Sequence, residues 1–141
     1  MPYLQKTQPL TLRAQVTPML CASPASEAIE FYKQAFGAVE ASRVEDEDGR
    51  ISHAELHLGN ATILLADEYP DIEVVSPRTL GGSPVMLLLE VPDVDSFFDQ
   101  AVRAGARAAR PLQDSFDGAL RNGTLEDPYG HRWMVVTRRP S

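Results

Sequence analysis

Apolar and polar positions follow a pattern that occurs twice along this chain. A short apolar run precedes an amphipathic helix that stops at glycine, and further strands then close on a strongly apolar one. The first copy spans about Val16 to Asp67 and the second about Val85 to Thr137. In the first, Ala28, Phe31, Tyr32, Ala35 and Phe36 recur at i, i+3, i+4, i+7 and i+8, the spacing of one helical face. Ser23 and Pro24 read as the N-cap and first helical residue. Gly37 ends the helix, because glycine takes the left-handed conformation without strain. In the second, Asp93 is the cap, Val94, Phe97, Phe98, Ala101 and Val102 repeat the spacing, and Gly105 is the stop. Two unrelated amphipathic helices would show the same periodicity, but the flanking strands match as well. Met19-Leu20-Cys21 and Met86-Leu87-Leu88-Leu89 lead in, while Ala61-Thr62-Ile63-Leu64-Leu65 and Trp133-Met134-Val135-Val136 close. Units that each bury one face predict an α+β fold of paired modules, residues 16–68 and 85–137, with a shared cleft as the natural functional site.

The rest of the chain reads as connection. Residues 1–15 are polar and weakly patterned and read as an N-terminal arm or an extra edge strand, and 69–84, with three prolines and Gly81-Gly82, link the modules. Glu45-Asp46-Glu47-Asp48-Gly49 has the composition of a hairpin turn; it lacks the alternating oxygen ligands and closing glutamate of a calcium loop. Gln113 to Gly118 is a further polar loop, placed where it would cover a cleft.

Composition narrows the classes. At 141 residues and 43% hydrophobic, the chain is one compact domain able to bury a core. Its net charge of −7 argues against a nucleic-acid or anionic-membrane surface, since neutralising phosphates requires a concentrated basic face. The lone Cys21 sits in an apolar strand, so there is no disulfide framework and the thiol is expected to be buried. No apolar signal core or stretch of roughly 20 apolar residues is present, and a soluble cytoplasmic protein is predicted.

Candidate chemistry begins with the histidines. His53, Glu55 and His57 alternate along one strand and share a face, with Ala54, Leu56 and Leu58 on the other. Imidazole and carboxylate suit zinc, iron, manganese or nickel, but same-face neighbours on one strand lie about 7 Å apart, so a further ligand must come from elsewhere. The bland alternative is a polar sheet face. His131 enters a strand after Asp127-Pro128-Tyr129-Gly130, sharing a face with Trp133 and Val135 while Arg132, Met134 and Val136 take the other. A nucleophile elbow and a glycine-rich phosphate loop are both absent; Gly81-Gly82 leads to Ser-Pro rather than to a helix start with Lys.

These residues carry a resemblance. Ala28-Ile29-Glu30-Phe31-Tyr32 with Phe36-Gly37-Ala38, Gly49-Arg50 leading to His53-Ala54-Glu55-Leu56, and Gly59 with Leu65-Ala66-Asp67-Glu68 stand in the first half. Val91-Pro92-Asp93-Val94-Asp95 and Asp127-Pro128-Tyr129-Gly130-His131-Arg132-Trp133 follow in the second. In order and spacing the chain resembles the vicinal oxygen chelate superfamily, the glyoxalase, bleomycin-resistance and dioxygenase group, and within it the PhnB-like branch. The resemblance implies two tandem βαβββ modules, each an incomplete barrel around a concave face, and a homodimer that completes the cleft. A ferredoxin-like α+β domain shares the strand-helix rhythm but explains the paired closing strands and the Asp-Pro-Tyr-Gly turn less well.

Enzymes of that superfamily place His, Glu or Gln near the start of each module's first strand and in its last strand. Counting from the shared motifs puts Thr17, Met86 and Met134 at three of these positions and Ile63 or Leu65 at the fourth. Thioether and alkyl groups do not hold a hard divalent ion. The resemblance therefore implies a binding protein without the usual metal centre and without a cofactor, one that sequesters an apolar or aromatic compound. Met19, Leu65, Met86, Phe116, Trp133 and Met134 would line its cleft, with His53, Glu55 and Arg121 orienting the ligand. The alternative is a metal-dependent lyase, isomerase or dioxygenase whose divalent ion (Zn, Ni, Mn or Fe) sits at a relocated site of His53, Glu55 and His131.

Overall fold

The computed structural model describes residues 14–139; the predicted N-terminal arm falls almost wholly outside that range. Strand β1 (Met19–Cys21), helix α1 (Ala25–Phe36), and strands β2 (Val39–Glu45), β3 (Ile51–Leu58) and β4 (Ala61–Ala66) make the first module. A short helix, α2 (Pro77–Leu80), lies in the linker. The second module is β5 (Met86–Glu90), α3 (Val94–Ala104), β6 (Arg107–Asp114), β7 (Leu120–Glu126) and β8 (Arg132–Arg138). The predicted tandem βαβββ architecture is borne out. Each module forms its own four-stranded sheet, ordered β1-β4-β3-β2 and β5-β8-β7-β6, and the two do not close into a barrel.

The modules match in register. β1 runs parallel to β4 with Met19 beside Leu64, and β5 runs parallel to β8 with Leu88 beside Met134. Asp67 follows β4 and accepts the Ala25 N–H at 2.8 Å; Thr137, at its equivalent, accepts the Val94 N–H at 2.8 Å through its hydroxyl. Each closing strand thus caps the helix of its own module. For α1 this replaces the expected Ser23 cap, because Pro24 is the N-cap residue and no side chain of the segment accepts a helical N–H. Asp93 does cap α3, accepting from the Ser96 N–H at 3.2 Å. Gly37 ends α1 in the left-handed conformation, at φ 71°.

The core lies on the helix side of both sheets. Ile29, Tyr32, Leu56, Leu65, Val94, Leu125, Trp133 and Val135 are essentially inaccessible there. α1 packs on α3, with Phe36 stacked on Phe97 at 5.2 Å between ring centroids. A β-carbon on Gly123 of β7 would come within 2.8 Å of the Phe98 ring, so the missing side chain is what lets α3 lie close to its sheet. The opposite, open face of each sheet carries no helix. There Met19, Val44, Met86 and Leu88 remain exposed. The loop expected over Gln113–Gly118 is shorter, since Gln113 and Asp114 pair with β7 and only the turn beyond them is irregular. No helix among the described residues is long and apolar enough to cross a membrane.

Candidate functional site

The site is built around Asp127, which opens the turn between β7 and β8. Its Oδ1 accepts the Tyr129 and His131 N–H groups at 2.9 and 3.0 Å. Its Oδ2 accepts the Trp133 indole N–H at 2.9 Å and the Tyr32 hydroxyl of α1. Burial and the adjacent carboxylate hold the Tyr32 phenol well above its ordinary pKa, so it remains a donor. The arrangement ties the first module's helix to the start of β8 and fixes His131 and Arg132. His131 Nε2 then donates to the Cys21 carbonyl at 2.8 Å, on the outer edge of β1. A carbonyl only accepts, so Nε2 carries the proton.

The linker folds back onto the same turn. Gly130 stands at φ +93°, and a β-carbon there would lie 2.8 Å from Pro77 Cβ, so α2 packs where only glycine fits. Arg78 donates to the Pro128 carbonyl. Glu68 Oε2 accepts the Ser76 N–H at 2.8 Å and the Thr79 hydroxyl, which together hold its carboxyl below the ordinary glutamate range, the hydroxyl contributing most.

Between β1, the linker and the first residues of β5 and β8 lies a cavity of about 510 Å³. This falls within the roughly 300–1,000 Å³ of small-molecule sites. Met19, Cys21, Val74, Leu80, Val85 and Leu87 give it an apolar wall, and His131 and Arg132 close one side. Burial, with help from the Glu68 and Asp67 charges, pushes the Cys21 thiol up to about 11, so it lines the cavity as a neutral group.

The expected site residues divide. Met19 lines the cavity, and Met86 and Met134 lie on the open face of the second sheet, paired with Arg132 and Leu88. Leu65 and Trp133 do not: both face the helices, fully buried, because they alternate with Leu64 and Met134 along their strands. Trp133 instead borders a separate cavity of about 260 Å³ with Thr17 and Leu87. Arg121 also points to the helix side, where it pairs with Asp95 of α3 at 3.0 Å and with Asp114 at 3.3 Å. Phe116 is fully exposed at the tip of the β6–β7 hairpin, away from the cavity wall.

His53 and Glu55 occupy the open face of the first sheet, as their alternation predicts, and Glu55 pairs with His57 at 2.6 Å. His131 is held at Cys21 instead, and among the described residues no three His, Cys, Asp or Glu side chains gather as a ligand set. Register also revises the fourth family metal position: Leu64, the neighbour of Met19, is the equivalent of Met134, rather than Ile63 or Leu65. Thr17, Leu64, Met86 and Met134 do not fit a hard divalent ion. Sequence reasoning missed Arg132 and the linker wall. The apolar Val74, Val75 and Leu80 inside a proline-rich connection were the available signal.

Duplicated βαβββ modules with a cleft at their junction define the glyoxalase-like class of fold. Residues 15–135 match the Glyoxalase/Bleomycin resistance protein/Dioxygenase superfamily, and the chain belongs to it. An uncharacterised protein of Mycobacterium tuberculosis is 38% identical over 132 residues, 92% of this chain and 77% of that one. The crystal structure of TioX from Micromonospora sp. ML1 is 26% identical and superimposes with a TM-score of 0.68, covering 91% of this chain and 98% of TioX. The fosfomycin resistance protein FosX from Listeria monocytogenes, solved with Mn(II) and a dihydroxypropylphosphonic acid, shares the fold at 12% identity. Its TM-score is 0.68, with 89% of this chain and 90% of FosX covered.

Proposed function

We propose that this chain binds an apolar or aromatic small compound in the cavity between its modules and sequesters it, in the manner of resistance proteins, without turning it over at a metal. One observation carries this reading. The positions where the superfamily's enzymes hold metal ligands carry Thr17, Leu64, Met86 and Met134, while the same chain holds an apolar cavity of about 510 Å³ lined by other residues of β1, the linker, β5 and β8. Methionines and aliphatic side chains adapt to varied apolar ligands at low strain. We place the chain in the PhnB-like branch of its superfamily, as a cytoplasmic protein.

A homodimer belongs to the same proposal. Met19, Val39, Val44, Met86 and Leu88 leave apolar surface on the open faces of both sheets, and a second copy would cover it.

The test is a fluorescence titration with N-phenyl-1-naphthylamine, a neutral apolar probe, with and without EDTA. Saturable binding that EDTA leaves unchanged is expected. Binding that chelation abolishes and zinc, nickel, manganese or iron(II) restores would overturn the metal-free reading.

A further inference from the structure

Arg132 is the one charged side chain shared by the cavity wall and the open face of the second sheet, and its charge is poorly compensated. Its Nε is buried with no hydrogen-bond partner among the described residues. The nearest carboxylate, Glu126, lies 3.8 Å from Nε, too far for a hydrogen bond. Glu126 is moreover shared with Arg107, whose Nη2 stands at 3.4 Å. In the next row of the sheet Arg110 donates to the neutral Asn122 Oδ1 at 2.5 Å and makes no ion pair among the described residues. Two guanidinium groups, of Arg107 and Arg132, thus share a single carboxylate, and among the described residues a third, Arg110, has only a neutral amide partner, in a chain whose net charge is −7. Nε is closed to solvent, but the Arg132 side chain as a whole is 38% exposed, so an oxyanion entering the cavity would meet its terminal Nη groups and supply charge that the shared Glu126 does not.

We propose that the ligand of this cavity is an apolar compound bearing an oxyanion, a carboxylate or sulfonate, with its apolar body against Met19, Val85 and Leu87 and its anionic group held by Arg132. This rests on the small-molecule reading above and specifies the class of compound. The exposed Glu73, also on the cavity lining, disfavours an anion at its own position, which favours the Arg132 side at β8 for the charged end.

A matched pair of probes tests it. 8-Anilinonaphthalene-1-sulfonate and N-phenyl-1-naphthylamine share one ring system and differ by the sulfonate. Arg132→Met should weaken the sulfonate by about tenfold or more, the worth of a charge-assisted hydrogen bond, and leave the neutral probe within about twofold. Arg132→Lys should retain part of the difference. Glu126→Gln, which removes the competing carboxylate, should tighten the sulfonate a few-fold and gives a second readout should the Arg132 variant fold poorly. Equal effects of Arg132→Met on both probes, no effect on either, or weaker sulfonate binding by Glu126→Gln would overturn the proposal. Failure of the wild-type protein to bind either probe saturably would contradict the small-molecule reading itself.

Discussion

At the scale of single residues, Asp127 holds more of this molecule together than any candidate ligand-binding group. Four donors converge on its carboxylate, from Tyr32, Tyr129, His131 and Trp133, and all but the His131 bond are buried. Asp127→Asn would turn an –NH₂ toward those donors and should destabilise the fold by about 2–4 kcal/mol, measured by chemical denaturation. Tyr32→Phe removes one donor and leaves the others paired, so a smaller loss of about 1–2 kcal/mol is expected. Equal losses from the two would mean that the tyrosine alone carries the tie. The Asp-Pro-Tyr-Gly motif therefore serves structure first, and its service to function is to aim His131 and Arg132. Which face a residue takes was legible from alternation alone: Trp133 and Met134 are adjacent in one strand and cannot both line a cleft. Treating both as ligand-lining followed side-chain type rather than that parity. Arg121 was less legible, because its partners Asp95 and Asp114 belong to other elements.

At the scale of elements, both long helices and their glycine stops were legible because the 3.6-residue period and the left-handed cap are local properties of sequence. The α1 cap was not: Asp67 reaches Ala25 across 42 residues, and it also accepts the Ile51 N–H at 2.7 Å, so it joins a helix start to a strand start. The linker was legible as a connection but not as a cavity wall, since a proline-rich segment has no periodicity to reveal which side it buries. Its attachment through Glu68 gives a pH dependence. The Glu68 carboxyl is held below its ordinary range in the folded state, so its stabilising contribution is complete above about pH 4.5 and is lost as pH falls through the lowered value. The Ser76 amide, whose N–H Glu68 accepts, should therefore lose hydrogen-exchange protection as pH falls through the lowered Glu68 range, ahead of core amides such as Leu56. Simultaneous loss at both positions would show that the linker is not released separately.

At the scale of the whole molecule, duplication accounts for the site. Each module buries its helix side and leaves its other face open, and the cavity forms where β1 of one module meets β5 and β8 of the other under the linker. The exposed apolar open faces predict association. Light scattering coupled to size-exclusion chromatography should give twice the 15.5 kDa chain mass, and Leu88→Lys, on the exposed face of β5, should shift it toward monomer. A monomeric wild-type protein would contradict the dimer. The most direct test of the account is a map of amide chemical shifts in ¹⁵N-labelled, EDTA-treated protein saturated with N-phenyl-1-naphthylamine. The account predicts that the largest changes fall at Cys21, Val74, Val85, Leu87 and His131, around the cavity. Changes centred instead on His53, Glu55 and His57, or none without added metal, would contradict it.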